Sequence, residues 1–342
     1  MRSAIINEVN SPLTIEDLTL PESLEFGQVL VKINISGLCG AQLQEISGDK
    51  NNAKFMPHLT GHEGSGIVQQ IGPGVTKVKE GDKVILHWRK GSGIESNFPS
   101  YMMGEKKLTG GKVNTITEYS VVSENRMTAV PENIDDEFCA LMGCGISTSF
   151  SVISKEADVK FGESVLVIGC GGVGLGCISA ARMLNASPVI GIDINSDKYQ
   201  LVKKNGGDHF FDSENAITHL NESKTKIDCI IDTVGNLDLV SLFLPFLSDQ
   251  GRCILVSLPK KGTSLTVSDP NKLFGTEGQR ILTTQAGGFD PDTDIKRFVK
   301  LYQMGRIDYK SLITHRFKLE EINEAIQTLR SGEAGRIMIE IG

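Results

Sequence analysis

The chain has 342 residues, enough for two domains that each bury a core, with 39% hydrophobic residues, 23% charged residues and a formal net charge of -7. An acidic chain without a basic cluster gains little from phosphate backbones or anionic lipid, so nucleic acid and membrane surfaces are set aside. The start, MRSAIINEVNSPLTIEDL, shows no apolar core of signal-peptide length, no apolar run reaches spanning length, and the seven cysteines are scattered without a disulfide framework. A cytoplasmic protein with reduced thiols is expected.

In chain order, the first part is β-rich and punctuated by glycine. QVLVKINISG, EGSGIVQQIG and GDKVILHW carry β-branched residues between turn signals, and GPGVTKVKEGDKV has the rhythm of a small barrel. The segment 87–114, rich in Gly, Ser and Lys, is expected to be an irregular surface excursion. From about Ser147 the pattern changes: VLVIGCGGVG is an apolar strand meeting a glycine turn, VGLGCISAARMLNA continues as a helix, and PVIGIDI, SDKYQLVKKNG, HFFD, IDCIIDTVG and GRCILVSL follow. Apolar strands alternating with helices predict a parallel doubly wound sheet, so the fold class is α/β with a β-barrel-like domain in front. The tail reads helix, strand, helix, strand, with its last strand returning to the first domain. The boundaries expected are 1–145, 146–285 and 286–342. Cys229 and Cys253 read as small strand residues, and Cys170 and Cys177 as packing near the turn.

Gly169, Gly171 and Gly174, with Gly172 and Val173 between them, have the spacing of a dinucleotide fingerprint set between strand and helix. The three glycines serve a tight turn, close approach of a pyrophosphate to backbone, and close helix-strand packing. Asp193, nineteen residues after the last of them, ends the next strand, where a carboxylate accepts from ribose hydroxyls and repels a 2′-phosphate, favouring NAD over NADP. The other reading of Asp193 is a helix cap. Lys198 reads equally as a ribose contact or a solvated lysine.

Upstream stand Cys39 in SGLCGAQ, His62 and Glu63 in LTGHEGSG, and Cys144 in LMGCGIST. Two thiols and an imidazole make a zinc set with one open position, and Glu63 is an adjacent or exchangeable carboxylate. The glycines around His62 and Cys144 let backbone approach closely.

In the order GHE, GCG, GCGGVG and strand-end acid, the chain resembles the zinc-containing alcohol dehydrogenases of the medium-chain dehydrogenase/reductase superfamily over essentially its whole length. The resemblance implies a chaperonin-10-like (GroES-like) catalytic domain completed by the C-terminal segment, a Rossmann domain, and a cofactor held in the cleft between them. It assigns one catalytic Zn2+ to Cys39, His62 and Cys144 with Glu63 close by, and gives Arg336 a pyrophosphate contact. The backbone around Val256 to Leu258 and Gln285 to Gly287 would border the nicotinamide. It also implies a homodimer or homotetramer, for which the strand GRCILVSLP offers an edge.

Two departures stand out. The four-cysteine lobe of many relatives is absent, leaving only the catalytic zinc, and its polar replacement could shape a substrate mouth or an oligomer contact. Ala41 stands where relatives carry a Ser or Thr that relays the substrate proton, with Gln44, His58 and Glu63 as candidate replacements, and Gly40 stands where some carry a pyrophosphate-binding arginine. The activity implied is zinc-dependent interconversion of a small-molecule alcohol, on a polyol or sugar derivative, and its aldehyde or ketone by hydride transfer to NAD. The alternatives are a zinc-free quinone or enoyl-type reductase and a non-catalytic NAD-binding sensor.

Overall fold

Gln28–Leu38, eleven residues long, is the strand on which the first part of the fold is built. Val29, Val31 and Ile33 alternate along it and are completely buried, as a half-buried strand with period two requires. It pairs antiparallel with Glu63–Ile71, with Tyr119–Ser123 and, through Ile35 to Leu38, with Arg336–Glu340. The sheet runs Met127–Val130, Lys83–His87, Glu63–Ile71, Gln28–Leu38, Arg336–Glu340, Ile313–Lys318. A second sheet joins Thr14–Asp17, Arg2–Ile6 and His58–Leu59. Both sheets share one core, with Ile6, Val31, Leu86 and Ile337 among its buried members. Helix Ile322–Arg330 lays Ile322, Ala325 and Ile326 against it at helical spacing.

The computed structural model describes residues 1–50, 52–275 and 277–342. The chain divides into two units, Met1–Ser147 with Asp290–Gly342, and Thr148–Phe289.

Among the described residues of the second unit, six strands form one sheet and are all parallel: Val165–Ile168, Val189–Ile192, His209–Phe211, Ile227–Asp232, Leu247–Leu255 and Arg280–Thr283. Taken in chain order they lie 3-2-1-4-5-6, the doubly wound order whose switch point falls between strands one and four. Val165–Ile168 and most of Ile227–Asp232 are buried, as strands covered on both faces must be. Cys170, Cys177, Cys229 and Cys253 are free and buried in this unit.

Two expectations are corrected. The segment 87–114 is not irregular throughout: Ser100–Met103 and Lys106–Thr109 form an antiparallel hairpin. Tyr101 and Leu108, paired across it, are about 1% exposed, and the Tyr101 hydroxyl accepts from the Val121 N–H at 2.9 Å. Two apolar anchors in a polar stretch suffice to seat it. The strand GRCILVSLP is not an edge, because Leu247–Leu255 is paired on both sides. The edge on that side is Arg280–Thr283. No single helix among the described residues is long and apolar enough to cross a membrane.

Candidate functional site

The first unit brings together three residues that are far apart in sequence. Cys39 caps the start of the short helix Gly40–Ile46, His62 precedes the strand Glu63–Ile71, and Cys144 lies between the helices Asp136–Met142 and Gly145–Ser151. One donor atom from each lies within 4.8 Å of the others. Glycines make this convergence possible. A Cβ at Gly143 would fall 2.2 Å from the Leu86 carbonyl oxygen and 2.8 Å from the Glu63 Cα, one at Gly145 2.5 Å from Arg336 Nη2, and one at Gly37 2.5 Å from Glu63 Oε1. Gly61, at φ +99°, packs its Cα against Thr115.

Gln42, three residues into the turn after Cys39, ties two members together. Its Oε1 accepts from the Cys39 N–H at 3.0 Å and its Nε2 lies 2.6 Å from His62 Nδ1. The ring is thereby held by one nitrogen: with the amide N–H donating to Nδ1, Nε2 carries the ring proton and donates to the Cys39 thiol, and ligation of a metal through Nε2 requires the Gln42 amide turned so that its oxygen accepts from Nδ1–H. Sequence reasoning passed over Gln42, although its place in the first helical turn after a ligand cysteine was a usable signal.

Glu63 is completely buried, accepts from the Gly145 N–H at 2.9 Å through Oε2, and pairs through Oε1 with Arg336 Nη2. Arg336, expected at a pyrophosphate, is itself only 2% exposed and its guanidinium is committed to this carboxylate. Its position in the C-terminal strand, hydrogen bonded beside Leu38 and Gly37, accounts for the difference. Among the described residues, no hydrogen-bond acceptor meets the buried Arg336 Nε.

The electrostatics of the cluster follow from burial and proximity. Donation from the Cys144 thiol is the main cause that brings Cys39 well below the ordinary thiol range, and it raises Cys144 in turn. Burial works against a charge on His62, but the Cys39 contact and nearby carboxylates outweigh it and raise the imidazole. Burial likewise pushes the Glu63 carboxyl up, against the pull of Arg336.

The residues fit a zinc ion. A tetrahedral Cys2His set at about 2.0–2.3 Å from the metal places its donor atoms about 3.5–4 Å apart, inside the 4.8 Å within which the three donors here lie, and they are the soft and borderline ligands zinc prefers. Glu63 is committed to Arg336 and Gly145 and lies outside the three-residue group.

A cavity of about 190 Å³ opens beside His62, lined by Glu45, His58, Thr60, Trp88, Lys112 and Asn114 among others. Gln44 instead faces a different cavity, with Asn10 and Arg330.

The second unit carries the glycine turn. Gly169, at φ +90°, follows Ile168, and helix Gly172–Met183 begins after Gly171. A Cβ at Gly174 would lie 1.8 Å from the Gly169 carbonyl oxygen, whereas one at Gly171 would meet nothing within 4 Å. The turn is thus closed where helix meets strand and open where an anion approaches the helix N-terminus, which fits a pyrophosphate. Val173 lies within the first helical turn. Asp193 accepts from the Cys170 N–H at 2.7 Å and the Asn195 N–H at 3.0 Å, which pins its carboxylate beside the turn, while Asp197 occupies the next helix's N-cap. Lys198 is 1% exposed, so the solvated reading of it is overturned.

The family model described as alcohol dehydrogenase GroES-like domain matches residues 25–132, and the one described as zinc-binding dehydrogenase matches residues 172–303. The chain is 28% identical over 366 residues to the NDMA-dependent alcohol dehydrogenase of Amycolatopsis methanolica, covering 97% of this chain and 96% of the relative. It is 29% identical over 379 residues to the class-3 alcohol dehydrogenase of Cereibacter sphaeroides, covering 99% of each. Among solved structures, an alcohol dehydrogenase zinc-binding domain protein from Burkholderia ambifaria superposes with a TM-score of 0.90 at 24% identity, covering 100% of this chain and 98% of that one, a likeness of fold. A GroES-like unit followed by a doubly wound unit, matched along nearly the whole length, defines the class as oxidoreductase. The chain belongs to the zinc-type alcohol dehydrogenase family of the medium-chain dehydrogenase/reductase superfamily.

Proposed function

We propose that the protein is a zinc-dependent, NAD(H)-linked alcohol dehydrogenase that interconverts a secondary alcohol of a polyol or sugar derivative and its carbonyl form. The observation that carries the reading is the convergence of Cys39, His62 and Cys144 donor atoms within 4.8 Å beside a cavity that His62 also lines. Relatives named as alcohol dehydrogenases supply the substrate class. When bound, zinc supplies Lewis acidity toward a substrate oxygen and the nicotinamide exchanges hydride.

The chain's own residues do the rest. Cys39, His62 and Cys144 hold the metal and Gln42 orients the imidazole. Glu63, paired with Arg336 and accepting from the Gly145 N–H next to Cys144, fixes the backbone beside that ligand and balances the charge around it. In the second unit Gly169, Gly171, Gly172, Val173 and Gly174 shape the turn for the pyrophosphate. Asp193 accepts from the adenosine ribose and disfavours a 2′-phosphate, so NAD is preferred over NADP, with Lys198 beside it. Glu45, Thr60 and Asn114 on the cavity wall offer hydrogen-bonding groups to a hydroxylated substrate. The reading is completed by a cytoplasmic homodimer or homotetramer.

The test is a panel of polyols and sugar alcohols with NAD or NADP, followed by the near-ultraviolet absorbance of reduced nicotinamide, before and after chelation and zinc restoration. Turnover that needs zinc and prefers NAD is expected. Turnover indifferent to chelation would move the protein to the zinc-free reductases.

A further inference from the structure

We infer that Thr60 and Glu45 form a proton relay that replaces the hydroxyl missing at Ala41, with Thr60 meeting the substrate hydroxyl and Glu45 receiving the proton. The inference rests on the reaction proposed above and concerns the groups that serve it.

The structure narrows the candidates by exclusion. Gln44 faces the other cavity. Glu63 is committed to Arg336 and the Gly145 N–H. His58 lines the cavity, but Nδ1 lies 2.6 Å from the Leu59 carbonyl oxygen, so it donates there, and Nε2 then accepts from Asn52 Nδ2 at 3.0 Å. Both imidazole nitrogens are spent.

Thr60 and Glu45 remain. Both line the cavity with His62. The buried Thr60 hydroxyl donates to Glu45 Oε2 at 2.6 Å, and a hydroxyl that donates still has lone pairs to accept from a substrate O–H. Beyond it, Glu45 Oε1 is met by Lys50 Nζ at 3.0 Å, and Lys50 is 30% exposed, which leads the path to solvent. The charged and titratable groups around Glu45 are Lys50 beyond its own helix, His58 and His62 on the cavity wall, and Lys112 across it, whose ammonium is paired with Glu95. Arg330 lines the other cavity with Gln44. Burial works against charge on Glu45, but Lys50 and the Thr60 hydroxyl outweigh it and hold the carboxylate below its usual range. It is therefore an anion at neutral pH, able to accept.

The alcohol O–H proton passes to Thr60 Oγ1 while the proton Thr60 held passes to Glu45 Oε2. A bound oxidised nicotinamide would take the carbinol hydrogen as hydride, which leaves the carbon and oxygen joined as C=O. Glu45 then loses its proton to water near Lys50.

The test compares wild type, Thr60→Val, Thr60→Ser and Glu45→Gln, all checked for metal content, with butane-2,3-diol and sorbitol as probes. Removing a general acid-base group predicts a fall of about 100-fold in kcat for Thr60→Val and Glu45→Gln with KM little changed, and Thr60→Ser restores most of it. A second reading uses cobalt(II) in place of zinc and no alcohol. Loss of the nearby carboxylate should lower the pH midpoint of the cobalt d–d bands by about one unit in Glu45→Gln but leave it near wild type in Thr60→Val. A kcat within twofold of wild type in both Thr60→Val and Glu45→Gln, or an unmoved midpoint in Glu45→Gln, overturns the relay. If wild type binds cobalt but oxidises neither probe, the midpoint alone decides it. Failure to bind cobalt sinks the metal-dependent reading itself.

Discussion

Alanine at Gly174 and alanine at Gly171 are expected to fail in different ways. A Cβ at Gly174 lands 1.8 Å from the Gly169 carbonyl oxygen and 2.9 Å from its carbon, both backbone atoms, so the helix has to move off the turn. Overpacking this severe costs about 3 kcal/mol, and alanine's helix propensity offsets about 1 kcal/mol of it, leaving a net loss of about 2 kcal/mol. At Gly171 the backbone is extended, with φ -79° and ψ -166°, and nothing lies within 4 Å of the new Cβ. Alanine caps a helix less well than glycine but stiffens the unfolded chain, so the stability change stays within about 1 kcal/mol. Its effect falls on the dinucleotide, because the methyl group occupies the open approach to the helix N-terminus. NADH should bind at least about tenfold more weakly, a loss of about 1.4 kcal/mol. Urea unfolding measures the first quantity and NADH fluorescence titration the second. Wild-type NADH affinity in Gly171→Ala, or unchanged stability in Gly174→Ala, would refute the reading of the turn.

Arg336→Met leaves Glu63 buried without its cation and should cost about 3–5 kcal/mol, part of it recovered in the double variant with Glu63→Leu; denaturation midpoints that match wild type would contradict this. His87 is fully buried, and desolvation lowers its pKa from 6.5 to about 4. The unfolded chain therefore binds the extra proton between those values, so stability is complete above pH 6.5 and falls by up to about 3 kcal/mol as pH drops toward 4. Urea titrations across that window should show His87→Gln losing this part of the pH dependence. Burial raises the thiols of Cys139 and Cys229 to about 12 and those of Cys170, Cys177 and Cys253 further. Alkylation mapped by mass spectrometry should thus reach Cys39 first in metal-free protein, spare these five, and be blocked by zinc.

Local signals in the sequence carried much of the architecture. The apolar run before Gly169 is the strand Val165–Ile168, and the small residues after it lie on the helix Gly172–Met183, because a strand-turn-helix is written in adjacent residues. The last strand was expected to return to the first domain, and Arg336–Glu340 pairs antiparallel with Gln28–Leu38 there. Contacts between distant segments were less visible. Nothing in LTGHEGSG announces that Glu63 will meet Arg336, which is 273 residues away, or that Thr60 will donate to Glu45. Both follow from register, since Arg336–Glu340 adds beside the end of Gln28–Leu38 and strand His58–Leu59 pairs with Arg2–Ile6. The hairpin within 87–114 escaped for a related reason: two buried residues in a polar stretch are too weak a pattern to register as strands. The edge assigned to GRCILVSLP was wrong because a strand's neighbours are set by sheet order, and Arg280–Thr283 fills the outer position.

The central claim is that Cys39, His62 and Cys144 hold one zinc ion. It is tested most directly by elemental analysis of zinc per chain in the reduced protein, with Cys144→Ser as the comparison and circular dichroism to confirm that the variant folds. Wild type should carry close to one zinc per chain and the folded variant near none. A folded wild-type protein that stays empty after zinc loading, or a Cys144→Ser variant that keeps its zinc, would contradict it.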